Sequence, residues 1–175
     1  LPSDILLDEL RADPDLARVA ARHNAPIILM HNRSNPASVD VKERLGNAYI
    51  GAEYDNLIED VKRELMDSVG IARRAGIPDE RIILDPGIGF GKTVDHNLEL
   101  IRRLDEIRAL GFPVLLGPSR KSFIGYTLDL PPDQRVEGTA AASFVIVGSP
   151  VSTSSLRYSA SSCPEKFATM RSRSP

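Results

Sequence analysis

Three short runs, residues 26–30 (PIILM), 81–84 (RIIL) and 113–117 (PVLLG), are apolar without polar alternation. A strand that does not alternate has both faces buried, so the sheet it belongs to must be covered by helices. The stretches between these runs are helical in spacing. Asp13-Pro14 reads as an N-cap followed by proline at the first helical position, with Leu16, Val19 and Ala20 as the buried stripe and an end near Asn24. From Ala52, a long helix carries Leu57, Ile58, Val61, Leu65, Val69 and Ala72 on one face, capped by Gly76 and stopped by Pro78. A third helix turns Leu98, Ile101, Leu104 and Ile107 inward and closes at Gly111, and residues 135–147 read as a fourth. Helix and strand alternate, so the strands are parallel and the class is α/β. The unit spacing fits a doubly wound sheet or part of a (β/α)8 barrel, whose complete form takes about 250 residues. Residues 37–51 read as irregular and mobile.

Each apolar run ends in a polar cluster, so the three clusters share the C-terminal rim of the sheet, where α/β folds place ligands. Met30, Asp85 and Lys121 should therefore surround one mouth. After the second run comes Asp85, then Pro86, which ends the strand, then Gly87, Gly89 and Gly91. The segment GIGFGKT is not a phosphate loop, because the Walker pattern needs glycine where Pro86 stands. It is not a dinucleotide fingerprint either, since the third glycine would fall at Lys92. What remains is an acid at a strand end beside a permissive loop. Such a carboxylate suits a ligand edge with two adjacent N–H donors, or a metal, although no second acid stands at a matching strand end. Capping the loop is the bland alternative, and the rim position favours function. Ser119, Arg120, Lys121 and Ser122 suit an anion or an oxygen-rich ligand, with Lys121 the stronger candidate. His31 reads as a structural donor; His23 and His96 have no chemical role.

Composition closes off other classes. The 175 residues are 42% hydrophobic and 26% charged, with a net charge of -2, which gives nucleic acid no footprint. No run has the length of a membrane span. The single cysteine, Cys163, excludes internal disulfides, and with no signal-peptide pattern a cytoplasmic location is expected. Residues 148–175 are Ser-rich and aperiodic, a tail expected to be disordered.

Taken together, PIILMHNRSNP, RIILDPGIGFGK, PVLLGPSRKSFIG and RVEGTAAAS resemble the dihydropteroate synthase family, in its motif order and spacing. The resemblance covers residues 11–147, leaving residues 1–10 and 148–175 as non-family segments. It implies a partial (β/α)8 TIM barrel of about three parallel strands with their helices. It also implies a transferase of folate biosynthesis, which joins p-aminobenzoate to 6-hydroxymethyl-7,8-dihydropterin diphosphate, giving 7,8-dihydropteroate and diphosphate. In that family Asp85 would pair with the amino-pyrimidine edge of the pterin, and Lys121 with a ring nitrogen and the carbonyl oxygen. Met30 and Phe90 would wall the ring, Gly117 would let it approach the backbone, and Arg120 and Ser122 would lie toward p-aminobenzoate. Magnesium (Mg2+) assists the departing diphosphate in the family, but the Asn that meets it has no counterpart in this chain. The expected partners are these small molecules, with neither nucleic acid nor membrane, and the intact enzyme can pair as a homodimer. The chain looks like the C-terminal portion of such an enzyme and is expected to be inactive alone. The alternatives are a non-catalytic remnant and a pterin-binding methyltransferase-type domain.

Overall fold

Apolar runs that need cover on both faces dictate the architecture, and the computed structural model describes residues 6–8, 14–34, 39–42, 44–49 and 52–148. The elements run β1 (Leu6–Asp8), α1 (Pro14–Arg22), β2 (Ile27–Met30), β3 (Val39–Lys42), β4 (Gly46–Tyr49) and α2 (Leu57–Arg74). They continue with β5 (Ile82–Asp85), α3 (Val94–Arg102), α4 (Leu104–Arg108), α5 (Ser122–Leu128) and α6 (Val136–Gly148). Strands β1, β2 and β5 form a parallel sheet in the order β1-β2-β5. The expected third run lies beside β5 in the parallel sense, but it is reduced to a bridge between Val114 and Leu84. Leu84 donates to Pro113 O at 2.9 Å, and Leu115 donates to Leu84 O at 2.8 Å. Pro113 has no N–H to extend that ladder.

Two stretches carry more structure than their sequence suggested. Within residues 1–10, expected to stand apart, β1 pairs with β2 in the register Leu6↔Ile27. Residues 37–51 contain an antiparallel hairpin of β3 and β4 rather than irregular chain. Its period-2 signal, Val39 and Val41 alternating with Asp40 and Lys42, is short and was overshadowed by the flanking turns. The tail from residue 149 onward and the N-cap at Asp13 lie outside the described residues.

The core forms where helix stripes meet the sheet. Ile27, Leu29, Ile82 and Leu84 from the strands are fully buried against Ile58, Val61, Leu65 and Val69 of α2. Ile101, Leu104 and Ile107 extend it, as their spacing required, and Leu100 joins them. Val19 and Leu98 are corrections: they are 44% and 42% exposed, and Ala17 and Asn97 take the inward positions. α3 and α4 are two segments broken at Arg103, which binds Glu99 and Glu106 on either side. α5, directly after the polar cluster at residues 119–122, was not expected. No helix among the described residues is long and apolar enough to cross a membrane.

The loop after β5 is where side chains are least tolerated. A Cβ at Gly87 (φ +70) would stand 1.8 Å from the His31 carbonyl oxygen, whereas one at Gly76 (φ +93) meets nothing within 4 Å. Gly76→Ala is expected to cost about 1–2 kcal/mol, the left-handed penalty alone. Gly87→Ala should cost more than about 4 kcal/mol or prevent folding, since backbone must move. Denaturant midpoints of the two variants check this, and equal losses would contradict the close packing of the loop on His31.

Candidate functional site

The register of β2 on β5 sets Met30 beside Asp85, and the ladder runs one step further, with the His31 N–H donating to Asp85 O at 2.9 Å. Strand ends and the turn that follows Val114 therefore share one rim. Asp85 is buried, and its Oδ1 accepts from the Gly87 N–H at 2.7 Å. Burial raises its pKa, while the Gly87 bond and the charges of Lys121 and Lys92 pull it down. With that donor and two cations near it, the group is read as a carboxylate. Lys121 folds over the loop: its Nζ lies 4.0 Å from the centroid of the Phe90 ring. Burial lowers its pKa, and Asp85 opposes that shift. The structure thus gathers a carboxylate, an ammonium and an aromatic face at the rim, next to half-buried Met30.

The other candidates sit on the same turn as Lys121. Gly117 is exposed, and nothing lies within 4 Å of where its Cβ would be. Arg120 has an exposed side chain on a left-handed backbone (φ 47). Its N–H donates to Thr139 Oγ1 at 2.9 Å, and its carbonyl accepts from Arg135 Nη1 at 3.1 Å. Ser122 opens α5.

A second set of residues, overlooked in the sequence, holds this one in place. Lys92 is buried, and its Nζ lies 3.0 Å from Gly87 O, Phe90 O and His31 Nδ1. Asn97 accepts from the Gly89 N–H at 2.7 Å and donates to Thr93 O at 2.7 Å. Gly91 O accepts from Ala52 N and from the Tyr54 hydroxyl, at 2.9 and 3.2 Å. Buried Arg135 reaches Leu45 O, Arg120 O and Leu130 O, which ties the hairpin to the turn before α5. Lysine and arginine in an otherwise surface-like sequence context give little sign of burial; the small residues around them, glycines above all, were the available signal. His96 caps α3 with Thr93, and it has the structural place expected.

His31, read from the sequence as a structural donor, lies in a buried network in which its Nδ1 faces the Lys92 amine. Its Nε2 makes no regular hydrogen bond and faces Glu64 Oε2 at 3.3 Å. Glu64 accepts from Arg33 Nε at 3.0 Å, and Arg33 lies over the Tyr54 ring. Among the described residues no group of three or more His, Cys, Asp or Glu could hold a metal ion.

The pterin binding enzyme family matches the chain over residues 4–152, a wider span than the 11–147 read from the motifs. A dihydropteroate synthase of Clostridium beijerinckii is 47% identical over 135 residues, 77% of this chain and 44% of that protein. That of Bacillus subtilis is 50% identical over 129 residues, 74% of this chain and 40% of that protein. Dihydropteroate synthase from Thermus thermophilus in complex with 6HMPPP superposes with a TM-score of 0.70 at 40% identity, covering 83% of this chain and 55% of that one. The same enzyme in complex with 4-aminobenzoate gives 0.69 at 40% identity over 83% and 56%. The chain spans about half the length of the relatives it matches, so the fold it shares with them is a partial barrel.

Burial first, and the Lys92 charge second, bring the His31 pKa from 6.5 down to about 3. Between those values the unfolded chain binds a proton that the folded one refuses, so stability falls as pH drops through the window. The slope from this group is at most about 1.4 kcal/mol per pH unit. Denaturant melts between pH 6.5 and 5 should show a shallower acid decline for His31→Gln than for the parent protein. Identical slopes would mean that His31 is solvated.

Proposed function

Because the chain belongs to the pterin-binding enzyme family, we propose that it serves a dihydropteroate synthase reaction by holding the pterin substrate. The substrates are 6-hydroxymethyl-7,8-dihydropterin diphosphate and p-aminobenzoate, and the products are 7,8-dihydropteroate and diphosphate. The observation that carries this reading is the convergence of Asp85, Lys121 and Phe90 at the ends of adjacent strands. An amino-pyrimidine edge offers two neighbouring N–H donors, the complement of one carboxylate. Lys121 supplies donors for the ring nitrogen and carbonyl oxygen on the opposite side. Phe90 and Met30 give the ring apolar walls, and the open space at Gly117 permits close approach to backbone. Arg120 and Ser122 lie on the p-aminobenzoate side, where an arginine favours a carboxylate.

The chemistry asks for no nucleophile from the protein. The bond between the pterin methylene carbon and the diphosphate oxygen breaks, and diphosphate leaves with the electron pair. The amine nitrogen of p-aminobenzoate forms the new bond to that carbon and gives up a proton. Positive charge that develops on the electron-rich pterin is stabilised by the Asp85 carboxylate fixed against its ring. Orientation of the two partners supplies the rest.

Asp85→Asn tests the reading in an intact barrel carrying this sequence. The amide oxygen can still accept from the Gly87 N–H, so the loop is retained, while the amide nitrogen now faces a ligand donor. Calorimetry should show pterin diphosphate bound at least about tenfold more weakly, about 1.4 kcal/mol. Unchanged affinity would reduce Asp85 to a cap on Gly87.

A further inference from the structure

The amine of Lys92 takes no part in the transfer described above, yet it is among the most enclosed polar groups of the chain, 4% exposed. It sits behind the glycine loop rather than in the mouth. Its three contacts, Gly87 O, Phe90 O and His31 Nδ1, are each at 3.0 Å. An ammonium has three donors and no lone pair, so three acceptors satisfy it completely. For Nδ1 of His31 to accept, the ring proton must lie on Nε2, the nitrogen that faces the Glu64 carboxylate at 3.3 Å. Arg33, bonded to Glu64, completes a relay from loop to helix α2. Burial lowers the Lys92 pKa to about 7 against the charges of Asp85 and Glu64, which raise it; the three acceptors around Nζ favour the ammonium form.

The two loop carbonyls that Lys92 holds belong to residues with separate duties. Gly87 gives Asp85 its N–H, and Phe90 carries the ring that faces Lys121. Backbone packing holds Gly87 and Gly91 against the chain after β2, and the Lys92 tie adds a fixed relation between the Gly87 and Phe90 carbonyls. We propose that Lys92 is a positioning residue for the pterin: its ammonium, set by neutral His31, fixes the distance between the Asp85 carboxylate and the Phe90 ring so that both meet one ligand. This rests on the functional reading above and adds a residue to it.

The test uses an intact barrel carrying this sequence, with pterin diphosphate as the probe. Lys92→Met keeps the length of the side chain and removes all three donors. It should weaken pterin diphosphate binding at least about tenfold while KM for p-aminobenzoate, measured at saturating pterin, stays within about twofold. In that background Asp85→Asn should cost much less than it does alone, because the carboxylate is no longer placed. A purely structural lysine would lower the melting temperature and leave the affinity of the folded protein and the Asp85→Asn penalty unchanged, which would overturn the proposal. If Lys92→Met does not fold, His31→Leu removes one acceptor and leaves the two carbonyls; a loss of about threefold in pterin affinity supports the proposal, and no loss overturns it. A parent protein that fails to bind pterin diphosphate refutes the functional reading itself. Tight binding that is sensitive to Asp85→Asn but indifferent to Lys92→Met refutes only the role of Lys92.

Discussion

Gly87 and Gly91 press their backbones onto the chain leaving β2: a Cβ would stand 1.8 Å from His31 O at the first and 2.5 Å from the Arg33 carbonyl carbon at the second. Contact this close is possible only between bare backbones, and it locks the loop after β5 to the loop after β2. Asp85 and Met30 are then neighbours for two reasons that reinforce each other, sheet register and loop packing. Lys121 reaches the same place from a third strand position, its Cδ 3.2 Å from where a Gly89 Cβ would be. Each glycine of the loop therefore answers to a different neighbour, and the rim is assembled from all three.

Charge is distributed unevenly across this architecture. Pairs such as Arg73–Asp79 and Arg103–Glu99 are on the surface, where an ion pair is worth about 0–1 kcal/mol. The group of Lys92, His31, Glu64 and Asp85 is enclosed instead, and taking charges from water is costly unless every donor and acceptor is met. Such a group adds little to net stability compared with an apolar filling. Its contacts tie the carbonyls of Gly87 and Phe90 to the chain after β2.

The apolar runs made the sheet and its helices legible, because residues such as Ile27, Leu29, Ile82 and Leu84 have no other place to go than a covered sheet. Asp85 and Lys121 were legible as strand-end groups. Lys92 was not, since the glycines before it signal close packing without saying which side chain is enclosed; His31 comes within reach of it only through the crossover between β2 and β5. Val19 and Leu98 failed for a related reason: helical spacing selects a face within about one residue, and packing decides which. The strand at Leu6–Asp8 is three residues long, too short for a periodic signal, and is defined by its pairing with β2.

We propose that Asp85, Phe90 and Lys121 form one recognition surface for a pterin ring. A crystal structure of an intact barrel carrying this sequence, with 6-hydroxymethyl-7,8-dihydropterin diphosphate bound, is the decisive measurement. Two ring N–H groups are expected within about 2.7–2.9 Å of the Asp85 carboxylate, with Phe90 against the ring. A ring bound away from β5, with Asp85 still engaged only by the Gly87 N–H, would contradict it.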